Sequence, residues 1–384
     1  MNDNKDIYTD QGDLIKWLPK IAENYIDKTT LIFGGTGSGK TTVIEEIMRF
    51  IAPHVPNIIV LAPKTSDIAY RRKLPAKCIK EDLTKEKLQK LWDRQFYATK
   101  IYGTANDPVI LASMLELIND SDTRIKIQAI EYKTKEVMRL IDASTQLDFA
   151  QKKSQKTMVE ELKQKVIMGL YKNFVRKYSK ELLENPNIND SQKIAVEFID
   201  FNPRLCLIID DCSEKFATWM SFFKKGDVNP FESIFYKNRW NYLTLIFAAH
   251  DDKLIDTKLR KNSRITIYTN SQAFVTSINR AGNGFTAAEK KKAMRIADRI
   301  FGSEDTKIKT HQKLCYVRED PHPFRYTVAD MYPDFDLGSV PLRNLISLFP
   351  KKEENIADNP LIQNISDSDQ KKCIKRRKNI FKKE

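Results

Sequence analysis

Leu31-Ile32-Phe33-Gly34-Gly35-Thr36-Gly37-Ser38-Gly39-Lys40-Thr41-Thr42 is the stretch whose reading decides the fold. A short apolar run reads as a buried strand, four glycines interleaved with Thr and Ser follow, and a Lys-Thr pair leads into a helical pattern from Val43 to Ile51. Gly34, Gly39, Lys40 and Thr41 fill the fixed positions of the Walker A pattern. Glycines let the backbone turn so that successive N–H groups face a phosphate chain, and the following helix adds the positive end of its dipole. The whole loop, Gly34, Gly35, Thr36, Gly37, Ser38, Gly39, Lys40, Thr41 and Thr42, is therefore expected to bind ATP. Lys40 would reach the β and γ phosphates as a compact charge, and the Thr41 hydroxyl would ligate Mg²⁺.

Working outward, Pro56-Asn57-Ile58-Ile59-Val60-Leu61-Ala62-Pro63 reads as a second buried strand joined to the first by a crossover helix. Helical spacing follows over Thr84 to Thr99 and Asn106 to Asn119. From Ser121 to about Ser191 apolar residues recur every three or four positions amid many lysines, which predicts a helical insertion between two halves of a sheet. That insertion reads either as a basic arm toward DNA or a partner, or as a hairpin covering one sheet face.

The sheet is expected to resume at Arg204-Leu205-Cys206-Leu207-Ile208-Ile209-Asp210-Asp211, an apolar strand ending in two carboxylates. Strand C-termini of an open α/β sheet converge on the nucleotide crevice. Asp210 would hold Mg²⁺ and Asp211 would orient or deprotonate the attacking water. Asn241 to His250 gives a further strand closing on His250, a candidate sensor of the γ phosphate or a structural histidine. Beyond it, Arg260 is the first choice for a finger projecting into a neighbouring subunit's nucleotide and Arg239 the second; a surface arginine or a DNA contact reads equally well. Another strand over Arg264 to Thr269, helices over Ser271 to Asn279 and Thr286 to Phe301, and antiparallel strands over Gln312 to Arg318 and Pro323 to Val328 complete the pattern. An amphipathic segment, Asp13 to Tyr25, precedes the first strand.

The chain of 384 residues, 41% hydrophobic and 10% aromatic, is able to build a core, so wholesale disorder is excluded. It shows no apolar run of membrane-spanning length and no secretory signal, which predicts a soluble intracellular protein. Five cysteines, odd in number and scattered, predict reduced thiols and no zinc site. The net charge of +14 suggests a polyanionic partner, or only a lysine-rich surface. From Lys351 onward ten basic residues face six acidic ones, so +4 of that excess lies in the tail. The fold class expected is α/β, a P-loop NTPase with a mostly parallel sheet flanked by helices. Its divisions are an N-terminal helical segment at 1–26, core at 27–120 and 201–350, the helical insertion at 121–200 and a flexible basic tail at 351–384.

Taken together, Gly-Gly-Thr-Gly-Ser-Gly-Lys-Thr, Leu-Ile-Ile-Asp-Asp-Cys (207 to 212) and Ala-His-Asp-Asp-Lys-Leu-Ile-Asp (249 to 256) with Leu-Arg-Lys-Asn resemble the DNA-packaging ATPases of nucleocytoplasmic large DNA viruses, within the FtsK/HerA superfamily. The segment Gln312 to Asp320, with Phe324 to Thr327 and Tyr332 to Phe335, also resembles the strands that close that domain. The resemblance spans roughly residues 27 to 345 and leaves 121 to 191 uncovered. It implies a RecA/FtsK-HerA-like fold and a homo-oligomeric ring, pentamer or hexamer. It further implies ATP- and Mg²⁺-driven translocation of double-stranded DNA into a preformed capsid, with a capsid or portal component as partner, at the viral assembly site in the host cell or in the virion. Many superfamily members carry Glu as the second acid and Gln at the sensor, where this chain has Asp211 and His250. A cellular or plasmid translocase would share the mechanism. A P-loop phosphotransferase would share only the loop, and the N-K-x-D guanine-reading motif of switch GTPases is missing.

Overall fold

In the computed structural model, residues 6–64, 68–71, 73–75, 78–223, 229–302 and 312–330 are described. Among them ten strands form one sheet. They are β1 (Ile7–Tyr8), β2 (Leu14–Trp17), β3 (Thr29–Phe33), β4 (Asn57–Leu61), β5 (Ile79–Lys80), β6 (Leu205–Asp210), β7 (Leu243–Ala249), β8 (Ile265–Tyr268), β9 (Gln312–Val317) and β10 (Phe324–Val328). Their order is β1-β2-β10-β9-β8-β3-β7-β6-β4-β5. From β8 to β5 every pairing is parallel, whereas β9 runs antiparallel to both β8 and β10.

The central strands are continuous apolar runs because helices cover both faces. Alternation sends Leu31, Phe33, Leu207, Ile209, Leu245 and Phe247 to one face and Ile32, Cys206, Ile208, Ile246 and Ala248 to the other, each set in its own buried cluster. The strand leading into the glycine-rich loop, β3, sits between β8 and β7, and β7 separates it from the acidic strand β6. This order brings the C-terminal ends of β3, β6, β7 and β8 to one edge.

The helices carry recognisable start signals. Thr84, Asp107 and Asn189 accept backbone N–H bonds at the starts of Lys85–Ala105, Pro108–Leu117 and Asp190–Glu197. Asp148 with Gln151, and Thr286 with Glu289, form capping boxes on Phe149–Lys177 and Ala287–Phe301. Ser121–Ala143 and Phe149–Lys177 pack side by side. Phe174, Val175, Leu182, Leu111, Met114 and Ala195 join a separate small core in this helical region. The buried amide of Gln95 ties the region to the sheet by donating to the carbonyls of Pro203 and Asn241.

The N-terminal segment corrects the sequence expectation. Where the sequence predicts a helical segment at 1–26, the described residues 6–26 form β1, β2 and a 3-10 turn at Ala22–Asn24. Four residues of mixed apolar pattern do not specify a helix, and a partner strand decides: Lys16 and Trp17 pair with Arg325 and Tyr326 of β10. The Trp17 and Tyr326 rings then meet edge to face at 5.1 Å. The expected basic tail at 351–384 and the segment Tyr332 to Phe335 lie outside the described residues.

Candidate active site

The glycine-rich loop is shaped by contacts that only glycine permits at its ends. A Cβ on Gly34 would lie 1.8 Å from Thr269 Oγ1 and 2.6 Å from Ser38 Oγ, so no larger residue fits there. The Gly34 N–H donates to the carbonyl of Ala249, fastening the loop to the end of β7. At the far end Gly39 takes φ +88°, a left-handed conformation that glycine adopts without steric cost, and opens the helix Lys40–Ile51. That helix has no side-chain cap and no acidic residue in its first turn. Its positive end therefore faces the loop without a competing charge of its own. Ser38 braces the interior by donating to Gly35 O at 2.7 Å and meeting Thr269 Oγ1 at 2.5 Å. Thr36 and Gly37 are exposed at the crest, while Gly35 and Thr42 are half-buried.

Lys40 folds back over the loop and donates to Gly34 O at 2.9 Å and Gly35 O at 3.2 Å. Its ammonium also lies 3.4 Å from His250 Nδ1. Burial holds the Lys40 ammonium below its ordinary lysine value, and the nearby carboxylates of Asp211 and Asp210 oppose that shift.

The acid pair meets the loop as the strand order requires. Thr41 Oγ1 donates to Asp210 Oδ2 at 3.3 Å across 169 positions of sequence. The same oxygen accepts a 2.7 Å bond from the hydroxyl of Tyr70, a fully buried residue of the short helix Ile68–Arg71. Asp210 is 1% exposed. Burial raises its carboxyl above the ordinary aspartate value, and the bond from Tyr70 is the largest opposing influence. Thr41 hydroxyl and Asp210 carboxylate are hard oxygen donors, two in number, which suits Mg²⁺ completed by phosphate and water oxygens.

Asp211 adopts φ +56°, the left-handed region uncommon for a residue with a side chain. Its Oδ1 lies 2.8 Å from His250 Nε2. An ammonium only donates, so His250 Nδ1 is the acceptor toward Lys40, and Nε2 carries the proton shared with Asp211. Lys40, His250 and Asp211 thus form a hydrogen-bonded chain beside the Thr41–Asp210 contact.

Arg260, the first choice for a finger reaching a neighbouring subunit, does not join them within this chain. It is 7% exposed and donates to Asp252 O, Ile255 O, Thr257 Oγ1 and Asn283 Oδ1 of its own chain. A guanidinium so engaged would have to break four internal bonds to project outward. Arg239, the second choice, is exposed but precedes β7, at the opposite end of that strand from His250.

Three participants carried no sequence signal that singled them out. Tyr70 lies in a segment without a motif, Thr269 directly follows β8 beside Gly34, and the buried Lys313 of β9 donates to the carbonyl of Ser38 at 3.0 Å. Only the position of Thr269 at a strand C-terminus gave a usable hint.

No family model matches this chain. It is similar to the uncharacterized protein B354L of African swine fever virus, at 29% identity over 364 residues in a Kenyan pig isolate, covering 90% of this chain and 94% of that protein. The Warthog/Namibia isolate gives 29% over 366 residues with the same coverage. Among solved structures, the genome packaging NTPase B204 of Sulfolobus turreted icosahedral virus 2 with sulfate aligns at TM-score 0.38 and 10% identity, over 81% of this chain and 98% of that one. The pCW3 conjugation coupling protein TcpA aligns at TM-score 0.38 and 11% identity, over 91% of this chain and 71% of that one. Those two likenesses are too slight to carry a functional argument.

Proposed function

We propose that this chain is an ATP-hydrolysing motor that moves double-stranded DNA, in the service of packaging a viral genome into a capsid. The observation that carries the reading is the approach of Thr41 to Asp210 at 3.3 Å, because it joins a phosphate-binding loop to a buried carboxylate where a metal-bound triphosphate needs both. The motif resemblance to packaging ATPases, a homologue from a large DNA virus and a net charge of +14 support the same reading.

In this mechanism the backbone N–H groups of the loop bind the phosphates, and Lys40 leaves the carbonyls of Gly34 and Gly35 to meet the β and γ phosphates. Thr41 and Asp210 would hold Mg²⁺, which when bound neutralises charge on the phosphate oxygens. Asp211 accepts the proton of the attacking water, and His250 fixes the carboxylate through its Nε2–H. Once Lys40 turns to the phosphates, His250 loses its 3.4 Å neighbour, so the same histidine registers whether the γ phosphate is present. Assembly into a homo-oligomeric ring around the duplex would let basic surface follow the DNA backbone without reading bases. Portal or capsid contact belongs to the same proposal.

The test is phosphate release from MgATP with and without linear duplex at low salt. The motor reading expects duplex to raise turnover and added salt to cancel the rise. Turnover indifferent to duplex, with phosphate passed to a small acceptor, would establish a phosphotransferase instead.

A further inference from the structure

The loop, the acid pair and the histidine leave the hydroxyl of Tyr70 at the site without a role. Tyr70 is 0% exposed, and its hydroxyl donates to Asp210 Oδ2 at 2.7 Å. Its ring is packed in the core cluster that also holds Ile44, Val60, Ile208 and Ala248. A phenylalanine would fill that apolar space without a hydroxyl to bury, so packing does not explain the hydroxyl. A buried hydroxyl with a short bond to a buried carboxylate blocks rotation of that carboxylate.

We infer that Tyr70 is a positioning residue for the divalent ion: it holds the Asp210 carboxylate in the orientation that also faces Thr41, so that the metal binds together with the nucleotide. The inference rests on the nucleotide-binding reading proposed above. Both hydroxyls, Tyr70 and Thr41, converge on Oδ2. Removing the shorter bond leaves the carboxylate fixed by the 3.3 Å contact alone, and outer partners of metal-binding groups are worth roughly 10- to 100-fold in affinity.

The test is calorimetric titration of ADP into the full chain, with Mg²⁺ and with EDTA, for wild type, Tyr70→Phe and Tyr70→Gln. Wild type is expected to bind ADP more tightly with Mg²⁺. Tyr70→Phe is expected to bind ADP in EDTA within about twofold of wild type and to lose about tenfold of the Mg²⁺-dependent gain. Tyr70→Gln, which keeps a donor, is expected to retain part of that gain, and it carries the comparison if Tyr70→Phe does not fold. An unchanged Mg²⁺ gain in Tyr70→Phe, an equal loss with and without the metal, or a Tyr70→Gln protein that folds and shows none of the gain would overturn the inference. Wild type that binds no ADP in either buffer would instead sink the nucleotide-binding reading on which it stands.

Discussion

His250 Nε2 lies 2.8 Å from Asp211 Oδ1, and the other nitrogen of the same ring, Nδ1, meets the ammonium of Lys40 at 3.4 Å. One histidine therefore bridges the phosphate lysine and the carboxylate assigned to the attacking water. Asp211 combines this partner with a left-handed backbone, φ +56°. Asp211→Asn is expected to lower ATP turnover by about 10² to 10³ while leaving ADP affinity within about twofold. His250→Ala should lose less, since the carboxylate remains but is no longer held. Steady-state kinetics with ADP titration separates the two, and a turnover loss in Asp211→Asn matched by an equal loss of ADP binding would contradict the assignment.

Gly34 fits only because it lacks a Cβ. Gly34→Ala places a methyl group 1.8 Å from Thr269 Oγ1, so loop or strand must move. The expected cost is about 2 to 3 kcal/mol of unfolding free energy, with loss of nucleotide binding. Urea denaturation and ADP titration measure both, and a variant as stable as wild type would show that the loop relaxes freely.

Arg260 belongs to the scaffold. Beyond its carbonyl bonds it lies 3.9 Å from the buried carboxylate of Asp252, which also accepts from Arg280, Ser277 and Asn283. Arg260→Ala is expected to destabilise the chain by about 3 kcal/mol, because it removes one partner of a buried charge pair. Mixing it with wild-type subunits should leave wild-type turnover unchanged. Poisoning of wild-type turnover by a stably folded Arg260→Ala would restore the finger.

Asp13 accepts a 2.6 Å bond from Arg295, and this bond holds its carboxyl below the ordinary aspartate value. A depressed carboxylate stabilises the fold above its unfolded pKa, and that contribution disappears as pH falls through the folded value. Asp13→Asn is therefore expected to cost about 1 kcal/mol at pH 7 and progressively less below about pH 4. Urea midpoints across that range check the sign, and a difference that grows on acidification would contradict it.

Much of the fold was legible because its central strands are long apolar runs buried on both faces. The strands expected at Leu31, Ile58, Leu205, Leu243 and Ile265 all form, and the loop with its acid pair follows from strand C-termini converging on one edge. The edge was not legible. β2 is four residues long and takes its identity from β10, about three hundred residues away. Local pattern does not encode such a partner. The surroundings of Arg260 were not legible for a related reason: sequence order places an arginine after β7, but does not show that Asp252 and Asn283 fold around it. Tyr70 had no signal at all, because a lone tyrosine in a short helix becomes informative only when its hydroxyl is seen against Asp210.

The central claim is that hydrolysis occurs where the loop lysine meets the acid pair. Phosphate release from saturating MgATP, measured for wild type and Lys40→Ala with linear duplex present, tests it most directly. The account predicts turnover by wild type and a loss of at least about 10² in Lys40→Ala, with the variant still folded by circular dichroism. Equal turnover by the two proteins would contradict it.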